Sequence, residues 1–203
     1  GRTATLLATE GRVLAIFAVA DTSKENSRDA ITDLHRLGVT SVMLTGDNVA
    51  TATSIARQAG IDDARGNLLP EEKLAAIEEL QGRYGPTAMT GDGINDAPAL
   101  ARADIGVAMG AAGTDTAMEA ADVVIMNDDL RRIPETIRLS RQTHAVLWQN
   151  IALALGIKVV FLGLAVFGNA TMWMAVFADM GASLLVVANG LRTLRTSAPQ
   201  TRD

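Results

Sequence analysis

Two long apolar runs near the carboxyl end constrain this chain more than any other feature. One covers residues 151–167 and the other begins near Thr171 and ends near Ala188, 17 or 18 residues each, close to the ~20 that cross ~30 Å of hydrocarbon at ~1.5 Å per residue. Gly168-Asn169 supplies a turn between them. Arg131, Arg132, Arg138 and Arg141 precede the first run and Arg192 and Arg195 follow the second, whereas the turn is uncharged, so the positive-inside rule puts both ends in the cytoplasm. Trp148 and Trp173 sit near the expected interfaces. A helical pair buried in a soluble protein is the competing reading, and lengths that match a bilayer favour a membrane hairpin over it. Each run carries one charge, Lys158 in the first and Asp179 in the second, both 10.5 positions from the centre of the turn. That is about 16 Å, near the bilayer midplane for both. A lone charge costs at least ~2.5 kcal/mol there, so two at one depth point either to an ion pair that pins the hairpin's register or to a shared site on a transport path.

The 203 residues are 48% hydrophobic, enough for one sizeable core besides the hairpin. A formal charge of −5 and a pI near 5.0 argue against nucleic acid as the main partner. With no cysteine, the chain contains no disulfide framework, zinc-thiolate site or thiol nucleophile. Ahead of the hairpin, apolar runs ending in Gly-Asp loops alternate with helical patterns. "GRTATLLATEGRVLAIFAVAD" reads as two strands already in progress, and with glycine in the first position the chain reads as a fragment of a longer one. Residues 39–44 read as a strand ending in Thr45-Gly46-Asp47, followed by a helix that Gly60 stops. Pro70 opens the next helix, with acidic residues in its first turn. "PTAMTGDG" repeats the strand-then-loop form, a helix begins near Asn95, and "ADIGVAMG" and "ADVVIM" are two more short buried strands. This alternation predicts an α/β fold with a parallel sheet, in which ligands bind where loops leave the carboxyl ends of strands.

Both Gly-Asp loops occupy that position. The stretch "MTGDGINDAPAL" spaces Asp92 and Asp96 so that a turn brings both carboxylates to one face, with Asn95 between them and Gly93 allowing close backbone approach. Such a set suits Mg2+, which takes a few carboxylates and keeps waters, provided a phosphoryl group completes the shell. Thr45 and the Gly46 amide can hold phosphate oxygens, and Lys73 can neutralise their charge. Taken singly, "TGD" can be a plain turn and Lys73 a solvated helix residue. Their order and spacing make them reinforce one another.

"MLTGDN", "LLPEEK", "GDGINDAPAL", "ADIGVAMG" and "GTDTAMEAADVV", followed by a charged apolar hairpin, resemble the carboxyl-terminal part of heavy-metal-translocating P-type ATPases of type IB, over about residues 1–195. The resemblance implies a haloacid-dehalogenase-like phosphorylation domain. It implies Mg2+ on Asp92, supported by Asn95 and Asp96, phosphoryl contacts from Thr45 and Lys73, and Gly46, Asp47 and Gly93 near phosphate and the ATP nucleotide. "LGIKVVFL" and "FADMGASLLVVANGLRTLR" are similar to the zinc, cadmium and lead exporters, and the Tyr-Asn pair and Met-x-x-Ser-Ser pattern of the copper pumps are absent. Asp179 is then implied as a ligand or gate for Zn2+, Cd2+ or Pb2+, with Lys158 as its counter-charge, since a cation beside the carboxylate weakens retention of the ion.

The resemblance has gaps. The family's nucleophile, the aspartate of Asp-Lys-Thr-Gly-Thr, is missing, and Asp21 in "ADTSKENS" has the wrong neighbours. Missing too are the actuator's Thr-Gly-Glu, nearly all of the nucleotide-binding domain, and the Cys-Pro-Cys metal site. The expectation is a chain inactive alone, whose partners are membrane lipid and the remainder of the pump, in a bacterial plasma (inner) membrane. Its expected organisation is a partial phosphorylation domain over 1–127, opening with the tail of the nucleotide-binding domain, an amphipathic linking helix over 128–150, the hairpin over 151–190 (spans 151–167 and 171–188) and a cytoplasmic tail over 191–203. His144 reads as interfacial, because no second ligand is spaced to join it on a metal. Two alternatives stand beside this reading: a truncated, non-catalytic remnant, and a soluble Mg2+-dependent phosphatase of the same fold, which would need its own nucleophile and no hairpin.

Overall fold

The computed structural model describes residues 3–10, 12–19, 25–92, 94–110, 115–168 and 171–193. These form two compact units that meet in sequence between Pro134 and Glu135. The first unit opens with two antiparallel strands, β1 (Thr3–Thr9) and β2 (Arg12–Val19), paired from Thr3 opposite Val19 to Thr9 opposite Arg12. A helix, α1 (Glu25–Arg36), leads to the alternating part: β3 (Val42–Leu44), α2 (Val49–Ala59), β4 (Asp63–Arg65), α3 (Pro70–Tyr84), β5 (Ala88–Gly91), α4 (Ala97–Arg102), β6 (Ile105–Met109), α5 (Asp115–Ala120) and β7 (Val123–Ile125). All pairings in this part are parallel, β3 with β4 and β5 with β6 with β7, as the strand-helix alternation predicts.

Local chemistry fixes these boundaries. Asn48 caps α2 by accepting from Thr51 N at 2.9 Å, and Gly60, in the left-handed region at φ 79°, ends it. Pro70 stands in the first turn of α3, and the Glu72 carboxylate reaches back to accept from Leu69 N at 2.8 Å. The apolar run at 39–44 yields only three strand residues, because Val39 N donates to Leu34 O to close the end of α1, and Ser41 is engaged by Asp62. The helix expected near Asn95 starts as a 3-10 turn, Ile94–Asp96, that passes into α4. Ile77, Met89, Ala99 and Leu100 form one buried cluster, against which Leu44 packs. Val107, Met109 and Ile125 form another, with Leu130 and Ile133 on its margin.

The second unit contains most of α6 (Arg132–Val166), an uninterrupted helix of 35 residues, and α7 (Met172–Gly190), of 19. Both are long and apolar enough to cross a membrane. Away from the face where they meet, their large side chains are mostly exposed, Val159 at 68%, Phe177 at 69% and Leu184 at 71%, a pattern that suits helices with further apolar surroundings. Gly168, at φ 74°, makes the turn after α6, and Thr171 caps α7 by accepting from Met174 N. Asn169 lies outside the described residues, as do Gly93, Asp21 and Arg195.

Candidate functional site

At the carboxyl end of β3 the backbone is held by the loop that follows β4. Thr45 N donates to Arg65 O and Thr45 O accepts from Leu68 N, both at 3.0 Å, and Asn67 N donates to Asp47 O at 2.6 Å. Asn67 adopts φ 59°, and Gly66 comes so close that a Cβ on it would lie 2.7 Å from Asp47 O. Within the loop, Thr45 Oγ1 donates to Asp47 Oδ2 and accepts from Asp47 N, each at 3.1 Å. Thr45, Gly46 and Asp47 are therefore one rigid turn. Arg65 braces it from behind through a two-pronged contact with Glu79 of α3, at 2.7 and 2.9 Å. Each partner shifts the other: Glu79 holds the Arg65 guanidinium above its usual range, and Arg65 holds the Glu79 carboxyl below its own.

The same loop runs into α3, whose first turn carries Lys73. Lys73 Nζ donates to Asp96 Oδ1 at 2.8 Å, and both side chains are only 15% exposed. Asp96 in turn lies directly over Gly91, where a Cβ would stand 2.7 Å from Asp96 Cβ and 3.1 Å from its Oδ2. Only glycine at the end of β5 lets the Asp96 carboxylate fold back beside the backbone that leads into Asp92. Asp92 and Asn95 are exposed on that loop. The structure thus ties Lys73 to Asp96, Asp96 to the β5 terminus, and Thr45 to the loop that starts α3. It offers hard oxygen donors and a cation where strands end.

In the second unit an open, apolar groove separates α6 and α7, lined by Ile157 and Phe161 on one side and Ala178, Gly181, Ala182 and Leu185 on the other. Lys158 follows Ile157, and Asp179 follows Ala178. A helix turns by about 100° per residue, and in two antiparallel helices one step toward the carboxyl end swings both side chains to the same side of the pair. Lys158 and Asp179 therefore share one side of the hairpin. Both are exposed, and among the described residues no ion pair joins them. His144 accepts from Trp148 Nε1 at 3.1 Å, one turn apart on α6.

Residues 1–104, which include every loop residue named above, match the family model for haloacid dehalogenase-like hydrolases. The chain belongs to that family. Its similarity to curated proteins runs further, into the hairpin. A probable cadmium-transporting ATPase of Alkalihalophilus pseudofirmus is 50% identical over 96% of this chain, and a zinc/cadmium/lead-transporting P-type ATPase of Escherichia coli is 47% identical over 96%. The chain spans about a quarter of these relatives' length, 27% and 26%. Among solved structures, a zinc-transporting PIB-type ATPase in an E2.Pi state superposes with a TM-score of 0.86 at 46% identity, over 96% of this chain and 32% of that one. The resemblance to P-type ATPases read from the motifs is thus borne out by sequence and by fold.

Within this haloacid dehalogenase-like chain the opposite ends of the strands have a different chemistry, which motif reading missed. Asp62, Asp104 and Asp122 each stand just before a strand, and each accepts from a backbone N–H near the start of the neighbouring strand: Ser41 N at 2.7 Å and Thr87 N at 2.8 Å, each just before it, and Gly106 N at 2.8 Å, its second residue. The Ser41 and Thr87 amides are the main reason the Asp62 and Asp104 carboxyls lie below their ordinary range. The signal was available as an aspartate directly before each of three short strands, in "IDDAR", "ADIG" and "ADVV".

Proposed function

We propose that this chain is the phosphoryl-handling and exit portion of an ATP-driven pump that exports divalent heavy-metal cations, with its phosphorylated aspartate outside the chain. The observation that carries the reading is the Lys73–Asp96 contact over Gly91, which sets a cation against the carboxylate loop of β5 beside the rigid Thr45 turn. β3 and β5 belong to separate sheets although Leu44 packs on Met89's cluster, so a further parallel strand can complete the sheet between them and deliver the nucleophile to both loops. Thr45 Oγ1 and the Gly46 amide then orient phosphoryl oxygens, and Lys73 offsets their charge in an in-line displacement. Asp92, Asp96 and Asn95 supply the hard oxygens expected of a Mg2+ site, whose two carboxylates leave room for waters and phosphate. Mg2+ bound there supplies the charge that neutralises the transferring group.

The relatives' names carry the cargo to this chain: cadmium and zinc, with lead in one of them. Asp179 is the acidic residue of the two membrane-length helices beyond the first turn of α6, which makes it the ligand for Zn2+, Cd2+ or Pb2+, and Lys158 on the same side weakens retention of the ion. Both ends of the hairpin face the cytoplasm of a bacterial plasma membrane, with lipid and the pump's other segments around it. The test is Asp92→Asn in the full-length pump. We expect metal-stimulated ATP hydrolysis to disappear while the thermal unfolding midpoint is retained. Wild-type turnover in that variant would remove the assignment.

A further inference from the structure

The hairpin is closed covalently at Phe167 and Gly168, and from there an open apolar groove lies between α6 and α7. Aliphatic and small side chains along such a groove slide and splay with little change in contact, because hydrocarbon solvates them equally well. Toward the other end the chemistry changes. Asn189, in the last turn of α7, donates through Nδ2 to Oδ1 of Asn150 at 2.9 Å and Oε1 of Gln149 at 3.3 Å, both on α6. Its own Oδ1 accepts from Arg192 Nη1 at 3.1 Å. Asn150 and Asn189 are half-buried, unlike most of the surface around them.

We infer that Asn189 is a positioning residue for the Lys158 and Asp179 site, fastening the open end of the hairpin so that the two charges keep one level and one separation. This rests on the reading of Asp179 as a cation ligand. From the fastened position, Lys158 lies about 12 Å along α6 and Asp179 about 15 Å along α7, at ~1.5 Å per residue. The two charges are therefore about 3 Å apart in level when the amides are engaged. A slip of one helical turn would add or remove about 5.4 Å, and a splay at the open end would separate them sideways, so the amides restrict both. The covalent turn limits the other end, and the charges sit between the two restraints.

The test uses the full-length pump in phospholipid nanodiscs, with Zn2+ as the probe. Asn189→Leu keeps the bulk and removes the amide. Because loosening moves Lys158 away from Asp179, the apparent zinc dissociation constant should fall, by about the 3- to 15-fold that interhelical bonds of this kind correspond to, and turnover at saturating zinc should slow as it does in Lys158→Ala. Asn189→Asp should recover the wild-type affinity, because its carboxylate accepts from the reoriented Gln149 and Asn150 amides and from Arg192. Asn150→Leu, which removes the nearer acceptor, serves if Asn189→Leu does not fold, and is expected to tighten zinc binding in the same sense. Wild-type zinc affinity in Asn189→Leu or, where that fails to fold, in Asn150→Leu, while Asp179→Ala loses binding, overturns this inference alone. Unchanged binding in Asp179→Ala overturns the transport reading beneath it. No recovery in Asn189→Asp also counts against the positioning role.

Discussion

Gly66→Ala isolates the part of the site held by backbone contact alone. A Cβ at Gly66 would lie 2.7 Å from Asp47 O and 2.8 Å from both N and Cα of Val49, and ordinary contact begins at 3.4 Å. The Asp47 to Val49 segment must therefore retreat by about 0.6–0.7 Å, and it cannot yield by rotating a side chain because every opposing atom is backbone. That movement strains the 2.6 Å hydrogen bond from Asn67 N to Asp47 O and the Asn48 cap of α2. Overpacking of this kind costs ~1–3 kcal/mol. Displacing the Thr45 turn by a large fraction of an ångström also lowers a positioning-dependent rate, by up to ~100-fold. Gly82→Ala is the matched control: it sits in α3 with nothing within 4 Å of the new Cβ, and it gains helix propensity of ~0.5–1 kcal/mol. In the full-length protein, calorimetry should show a lower midpoint for Gly66→Ala and a higher one for Gly82→Ala. Metal-stimulated ATP hydrolysis should fall at least tenfold in the first and stay level in the second. If Gly66→Ala turns over like wild type, the rigidity assigned to the Thr45 turn is wrong.

Lys73→Met should cut turnover by roughly 100-fold or more, as loss of a charge-stabilising group does, and should also lower stability by ~1–3 kcal/mol because Asp96 is left partly buried without its partner; retained turnover with lower stability would reduce the pair to a structural one. Asp62 and Asp104 are held below their ordinary value of 3.8 by the Ser41 and Thr87 amides, so their contribution to stability is present above about pH 4 and is lost as pH falls through the lower folded values. Unfolding midpoints measured from pH 6 to pH 3 should drop less steeply in the Asp62→Asn, Asp104→Asn double variant than in wild type, and identical slopes would contradict that origin. In the membrane unit, Asp179→Ala should abolish zinc- and cadmium-stimulated hydrolysis, whereas Lys158→Ala should bind zinc at least as tightly and turn over more slowly. Tighter binding with faster turnover in Lys158→Ala would exclude a role in release.

How far the sequence led depended on whether a residue's role was local. Gly60 and Pro70 announced the end of α2 and the start of α3 because breakers act within one turn, and the hairpin was visible because hydrocarbon thickness sets a length that can be counted. β4 was missed: Asp63, Ala64 and Arg65 include a single apolar residue, and a three-residue strand has no period to detect. α1 went unread because its sequence, "ENSRDAITDLHR", is mostly polar. Of the proposed site residues, Thr45, Asp92 and Asp96 were picked out from loops placed after strands and Lys73 from the helix that follows one, but the Lys73 contact with Asp96 joins positions 23 apart and Asn189 reaches positions 39 and 40 away. No spacing rule reports such contacts. Lys158 and Asp179 show the limit most clearly. Counting from the turn gives depth, whereas direction depends on helix rotation, and that rotation sets the two charges side by side on one face with no ion pair between them.

The two ends of the parallel strands solve different problems with the same residue type. At the amino ends, Asp62, Asp104 and Asp122 each turn one oxygen to a backbone amide of the neighbouring strand or the residue before it, so these carboxylates help to hold strand to strand. At the carboxyl ends, Asp92 is exposed, and Asp96 is engaged by a lysine, a partner that a phosphoryl group can compete for. Glycine separates the two uses. Gly66 and Gly91 stand at the carboxyl ends of β4 and β5, where a Cβ would collide with Asp47 and Asp96. A carboxylate that lets go of a backbone N–H leaves that amide without its partner, whereas one bound to a flexible side chain can change partners at smaller cost. That difference favours the carboxyl ends for the phosphoryl chemistry proposed above and leaves the acid-sensitive fastening at the other.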